Sequence, residues 1–215
     1  MSRTFDCRVP DQRKGGIVAA THAVRRGSLV VMPTDTVYGL GCDAFRADAV
    51  TSLLSAKGRG RDMPVPVLVG STETLSGVAG ELSLPAHRLA EAFWPGGLTL
   101  VCHQQPSVQW DLGETGGTVA VRMPLHPVAL EVIQATGPMA VSSANRSGRP
   151  PAATAAEARE QLGDAVAVYL EGGPVGDLVP STIVDVTGST PVVLREGTVP
   201  VDLLREVVPE LAVPA

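Results

Sequence analysis

The sequence predicts an α/β fold, one domain with a mixed sheet flanked by helices, and three observations predict it. Short apolar runs of strand length recur, such as 29–32 and 139–143. Segments with apolar residues at helical spacing lie between them, among them 17–26 and 127–136. Near the end, two strand-like runs (181–186 and 192–194) follow one another without a helix, which makes the sheet mixed rather than purely parallel. At 215 residues the chain buries a real core and suits one domain, 1–215, with its core at about 14–208.

In chain order, 17–26 (IVAATHAVRR) reads as a helix stopped by Gly27. Leu29, Val30, Val31 and Met32 form a buried strand that ends at Pro33, which has no N–H to donate. Thr34, Asp35 and Thr36 follow, then Tyr38, Gly39 and Gly41. Glycine permits close backbone approach or positive φ, so this loop fits either a ligand-holding strand end or an ordinary Pro and Asx/ST turn. The segment 47–56 is a helix with Val50, Leu53 and Leu54 on one face. A basic turn, Lys57-Gly-Arg59-Gly-Arg61, leads to a strand at 64–70 whose prolines favour an edge or a strand start. Short helices at 71–79 and 86–93 precede the turn 94–97 and a strand at 98–102. The polar stretch 104–117 is a long connection or flap. A strand at 118–123, a helix at 127–136 and a strand at 139–143 come next. The capping box Thr154-Ala-Ala-Glu157 opens a helix to 162. A strand at 166–170, the two late strands and a helix at 201–208 complete the chain.

Composition narrows the function. The formal net charge is −5, so no global basic field draws the protein to nucleic acid or membrane, and any polyanion site is a local cluster. Cys7, Cys42 and Cys102 are odd in number and far apart, which fits a reducing compartment with neither disulfide framework nor zinc site. The first residues lack a signal peptide's apolar stretch and no apolar run reaches membrane-spanning length; a cytoplasmic protein with no membrane partner is expected.

Four constellations carry polar chemistry. Lys57, Arg59 and Arg61 can clamp a triphosphate, Arg by forked hydrogen bonds and Lys as a point charge; a solvated loop is the ordinary alternative. Ser142-Ser143-Ala144-Asn145, at a strand end, can read a base, ribose or carboxylate, or simply cap a turn. Arg122 is one charge in an apolar strand and needs either a structural carboxylate or a ligand anion. Ser181-Thr182 opens a strand after a glycine-rich turn and pairs in the argument with Arg195-Glu196-Gly197. There is no Walker A loop, complete dinucleotide fingerprint, G-x-S-x-G elbow or H-E-x-x-H. What remains suits the positioning of a nucleotide and a small amino or carboxylate substrate without a protein nucleophile.

Taken together, PTDTVYGLG (33–41), the K-x-R of Lys57 and Arg59 with Pro64, WPGGLT (94–99), TVAVRMP (118–124), SSAN with GRPP (142–151), STIVDV (181–186) and LREG (194–197) resemble the Sua5/YrdC family, the threonylcarbamoyl-AMP synthases. The motifs stand in family order over nearly the whole chain. The resemblance implies a twisted YrdC-like sheet with a concave cationic cleft. It implies a nucleotidyltransferase making threonylcarbamoyl-AMP and pyrophosphate from L-threonine, bicarbonate and ATP, for t6A at tRNA position 37, with separate transferase proteins downstream. On this pattern Lys57 and Arg59 neutralise the ATP phosphates, and Thr118, Ser143, Asn145, Arg149 and Arg195 surround the nucleotide. Thr34, Thr36, Tyr38, Arg122, Ser181 and Thr182 surround threonine. Mg²⁺ is carried through the ATP phosphates, with no protein ligand assigned.

Two positions depart from the pattern. Gly60 stands where many relatives have proline, and Leu68 where they have histidine, with Val65 for the preceding leucine. A leucine cannot hydrogen-bond substrate. The rival readings are an RNA-binding module, with a weak tRNA contact, and a related carbamoyl-transfer domain. Scarce aromatics (3%) count against the first, because single-strand platforms stack bases. The absence of acylphosphatase and zinc-finger segments counts against the second.

Overall fold

The computed structural model describes residues 1–214. Its elements are β1 (Arg3–Asp6), α1 (Pro10–Arg25), β2 (Leu29–Met32), β3 (Gly39–Asp43), α2 (Ala47–Lys57), β4 (Val67–Leu68), α3 (Glu73–Val78) and α4 (Leu84–Phe93), followed by β5 (Leu98–His103) and β6 (Thr118–Arg122). Then come α5 (Pro127–Thr136), β7 (Met139–Ser143), α6 (Ala155–Leu162), β8 (Val166–Glu171), β9 (Thr182–Asp185), β10 (Val192–Arg195) and α7 (Val201–Val207). The strands form one mixed sheet in the order β1-β8-β2-β3-β7-β4-β6-β5-β9-β10. β9 and β10 pair antiparallel, as two late strands without an intervening helix require.

Side chains alternate across a strand, so each strand feeds two faces. One face buries Val31, Leu40, Val67, Leu100, Val121 and Val184 against Leu53 of α2, Leu89 of α4, Ala158 of α6 and Leu204 of α7. The other buries Val30, Met32, Met139, Val141 and Val168 against Ala20 and Val24 of α1 and Val132 and Ile133 of α5. This second core reaches Leu68 on β4 and takes nothing from β6, β5, β9 or β10. The uncovered half of that face is the floor of a cavity.

Several local expectations change. β1 pairs parallel with β8 and α1 starts at Pro10, both ahead of the apolar segment that marked the first helix. Gly39 and Gly41 belong to a strand rather than a loop. A Cβ on Gly39 would lie 2.7 Å from Val141 Cγ1, and one on Gly41 2.9 Å from Met139 Cε. These glycines make room for β7 side chains across the ladder. β4 is two residues long and interior, between β6 and β7, so Pro64 and Pro66 mark a strand start and not an edge. Pro66 lacks a donor, but its carbonyl accepts from Val141 N at 2.9 Å. The 104–117 connection is docked: Val65 N donates to the Leu112 carbonyl at 3.0 Å, Glu114 N donates to the Arg61 carbonyl at 2.8 Å, and Leu112 is buried. Thr154 caps α6 through Glu157 N as expected. No helix among the described residues is long and apolar enough to cross a membrane.

Candidate functional site

The cavity encloses about 510 Å³, within the roughly 300–1,000 Å³ usual for small-molecule sites. Its floor follows from strand alternation. On β6, Ala120 and Arg122 face the cavity while Val119 and Val121 face the core. On β5 the cavity residues are Thr99 and Val101, and on β9 Ile183. Strand ends supply the walls: Thr34 and Thr36 after β2, Ser142 and Ser143 closing β7, Ser181 before β9 and Arg195 ending β10.

Positive charge converges here, and among the described residues three of the cations, Lys57, Arg59 and Arg195, have no carboxylate in contact. Lys57, the last residue of α2, is buried, and its Nζ donates to the carbonyls of Ser143 (2.6 Å) and Asn145 (2.7 Å). Burial, and then the neighbouring Arg59, bring its pKa down to about 8. Gly58 adopts the left-handed conformation (φ 63°) that ends α2 and turns Arg59 into the cavity. Arg59 has only long contacts, 3.4 Å to Ser142 Oγ and 3.5 Å to the Pro64 carbonyl, and its Nε is buried without a partner. Arg195 donates to the Ser181 carbonyl at 2.8 Å from Nη2. Burial depresses both guanidinium pKa values, opposed at Arg59 by the charge of Asp62. Among the described residues none of these three cations forms a salt bridge. Lys57 is buried, Arg59 half-buried and Arg195 exposed; cations drawn out of water without a direct partner favour an incoming anion. Arg61, by contrast, is exposed and bound to Asp111 at 2.5 Å, so the third cation of the basic turn serves the docked connection.

Arg122 answers its two readings with both. It lies on the cavity wall, yet Nη2 reaches Asp35 at 2.7 Å, Nη1 reaches Thr36 Oγ1 at 2.8 Å and Nε reaches the Gly96 carbonyl at 2.9 Å. A guanidinium has five N–H donors, so two remain. Its burial depresses the pKa while Asp35 supports the charge. Thr34 Oγ1 lies 3.1 Å from Thr36 Oγ1, and Thr99 Oγ1 lies 2.8 Å from Ser181 Oγ. Hydroxyl pairs therefore flank Arg122 and Arg195.

The structure brings Thr34, Thr36, Arg59, Arg122, Ser143, Ser181 and Arg195 to the cavity, with Lys57 joined to its wall through Ser143. Asn145 stands beside them: its Nδ2 donates to the carbonyls of Arg146 (2.9 Å) and Arg149 (2.7 Å), and its Oδ1 is buried without a partner. Arg149 is exposed on that loop. Thr118 shares the cavity face of β6 but bonds the Thr115 carbonyl at 2.7 Å, away from the lining. Tyr38 and Thr182 lie outside the cavity because core partners take their hydroxyls. Tyr38 Oη meets Glu171 Oε1 at 2.8 Å and the Gly173 carbonyl at 2.7 Å, and Thr182 Oγ1 donates to the Val199 carbonyl at 2.6 Å. Sequence reasoning assigned no site role to Asp35 or Thr99. Asp35 sat inside a quoted motif, but its partner is 87 positions away. Leu68 lines the cavity, so that position offers apolar surface.

Among the described residues no group of three or more His, Cys, Asp or Glu side chains is placed to hold a metal ion. The three cysteines are buried, and burial raises their thiol pKa values, Cys42 and Cys102 to about 12. The arrangement can hold a polyanion beside a small polar molecule, over an apolar floor.

Known proteins share this architecture. A family model, Sua5_yciO_yrdC, described as "Telomere recombination", matches residues 22–197. A Mycobacterium tuberculosis protein named "Putative threonylcarbamoyl-AMP synthase" is 60% identical over 207 residues, covering 96% of this chain and 95% of that one. The threonylcarbamoyl-AMP synthase of Pyrococcus abyssi is 40% identical, over 88% of this chain and 56% of its own length. The crystal structure of P. abyssi Sua5 complexed with L-threonine superposes with a TM-score of 0.91 at 36% identity, covering all of this chain and 62% of that chain. With a matched model over most of its length and relatives this similar, the chain belongs to the Sua5/YciO/YrdC family.

Proposed function

We infer that the protein is a threonylcarbamoyl-AMP synthase, a nucleotidyltransferase acting toward t6A in tRNA. The observation that carries the reading is the set of cations without a salt bridge, Lys57, Arg59 and Arg195, around a cavity whose other wall holds Arg122 and paired hydroxyls. The reaction joins L-threonine, bicarbonate and ATP. Bicarbonate gives CO₂ with loss of water, threonine's amine adds to it and sheds a proton to form a carbamate, and a carbamate oxygen attacks the α-phosphorus as the bond to pyrophosphate breaks. Substrate supplies the nucleophile, so the protein's tasks are alignment and charge neutralisation.

Arg59 and Arg195 face the phosphates, with Lys57 supplying charge from behind Ser143. Asn145 and Arg149 bound the nucleotide end and Thr118 lies beyond it. Arg122 directs its two remaining N–H groups at threonine's carboxylate, beside Thr34, Thr36 and Ser181. The donor set is cations and hydroxyls, so Mg²⁺ enters as part of the ATP substrate. Bound with ATP, it would lower the charge on the phosphates. Transferase proteins take the product onward, and the free, buried cysteines support a cytoplasmic setting.

Pyrophosphate release from ATP, measured with L-threonine and bicarbonate together and with each omitted, tests the reading, with the nucleotide product identified by mass. Release that needs all three substrates supports it. Release indifferent to threonine overturns it.

A further inference from the structure

Thr182 is fully buried, yet its polar groups tie together three segments that meet at the cavity wall. Its N–H donates to the Gly97 carbonyl at 2.9 Å. Its hydroxyl donates to the Val199 carbonyl at 2.6 Å and accepts from Gly197 N at 2.9 Å and from Val199 N at 3.1 Å. A hydroxyl offers one donor and two acceptor positions, and all are used. The bonds fix the turn that begins two residues after Arg195. Gly197 is pressed so closely on the preceding segment that a Cβ there would stand 2.1 Å from the Pro180 carbonyl oxygen. Arg195 in turn spans the same gap, donating to the Ser181 carbonyl from Nη2 at 2.8 Å and from Nε at 3.2 Å. Arg122 is connected to the same junction, since its Nε donates to the Gly96 carbonyl, next to the carbonyl that Thr182 holds.

We propose that Thr182 is a positioning residue: its buried hydroxyl locks the 195–199 turn against 180–182 and so sets the Arg195 guanidinium at the anion end of the cavity. This assignment rests on the synthase reading for its kinetic test. Thr182 acts through Arg195 and does not touch substrate. A general structural role would lower stability without preference for either substrate; a positioning role changes the affinity for phosphates and disappears when Arg195 is gone.

The test compares Thr182→Val, Thr182→Ser, Arg195→Ala and the double variant Thr182→Val/Arg195→Ala in the full chain. KM and kcat for ATP are measured, together with calorimetric binding of inorganic pyrophosphate and the thermal midpoint. Removing the hydroxyl leaves the buried Val199 N–H and the half-buried Gly197 N–H without this partner, and KM for ATP is expected to rise about tenfold with a smaller change in kcat. Thr182→Ser recovers to within about threefold of the parent, and Thr182→Val adds under about twofold in the Arg195→Ala background. An unchanged KM in Thr182→Val, or an effect of equal size with and without Arg195, overturns the proposal. Should Thr182→Val not fold, Thr182→Ala, which places no methyl group against the Val199 carbonyl, replaces it with the same expectations. If the parent releases no threonine-dependent pyrophosphate, the synthase reading fails instead. The pyrophosphate-binding series then decides the role of Thr182 by the same criteria.

Discussion

The Lys57 ammonium donates to the Ser143 carbonyl at 2.6 Å, joining the end of α2 to the end of β7 across 86 positions of sequence. With the Asn145 carbonyl at 2.7 Å, this pins the Ser-Ser-Ala-Asn turn beside the cavity and places a buried charge behind it. No carboxylate balances that charge, and burial followed by Arg59 brings its pKa down to about 8. An anion in the cavity supplies the missing balance.

The first prediction concerns pH. A lysine whose folded pKa is about 8, below the ordinary 10.5, is partly neutral at pH 8. A bound polyanion raises that pKa, so ATP binding takes up protons near pH 8 and weakens as pH rises through it. In the free protein the unfolded chain holds more protons between those two values, so this group makes stability increase with pH across that window. Calorimetry in two buffers of different ionisation enthalpy reads the proton uptake; binding with no buffer dependence at pH 8 contradicts the assignment.

Arg59→Met should separate binding from stability. Arg59 Nε is buried without a partner and its other contacts are long, so the folded protein gains little from the charge. Methionine keeps the apolar stem. The thermal midpoint is expected to hold or rise, while ATP affinity falls by about tenfold or more. A fall in both by comparable free energies would show that Arg59 is chiefly structural.

Asp35→Asn removes the one carboxylate on Arg122 and leaves a buried cation with neutral partners. Breaking such a pair costs roughly 3 kcal/mol, read from the urea midpoint. Adding Arg122→Met to Asp35→Asn should recover most of that loss, because the unpaired charge is gone. Additive losses in the double variant would contradict the pairing.

Gly113→Ala tests the docked connection. Gly113 has φ +108°, and a Cβ there would lie 2.7 Å from the Arg61 carbonyl oxygen. The variant should lose about 1–3 kcal/mol and become sensitive to proteolysis within 104–117. Unchanged proteolysis would mean that the connection does not depend on this contact.

The strand and helix order was legible because apolar runs and helical spacing survive from Leu29 to Val208. β1 was not, since Arg3–Asp6 carries one large apolar residue and gains its place only by pairing with β8. The glycines of β3 read equally as ligand approach, and only the side chains of Val141 and Met139 show what they make room for. At the site, residue types announced a polyanion and amino-acid chemistry, but partnership did not. Arg61 and Arg59 look alike in sequence, yet Arg61 pairs directly with Asp111, whereas Arg59 forms no salt bridge and has only Asp62 acting on it without contact. Thr182 and Ser181 are neighbours, and strand alternation sends one into the core and the other to the cavity.

The most direct test is the rate of threonine-dependent pyrophosphate release from ATP by Lys57→Ala beside the parent protein, at a pH below 8. The account predicts a loss of about tenfold to a thousandfold, since charge and the pinned Ser143–Asn145 turn go together. A variant that keeps the parental rate would contradict the claim that these converging cations form the nucleotide site.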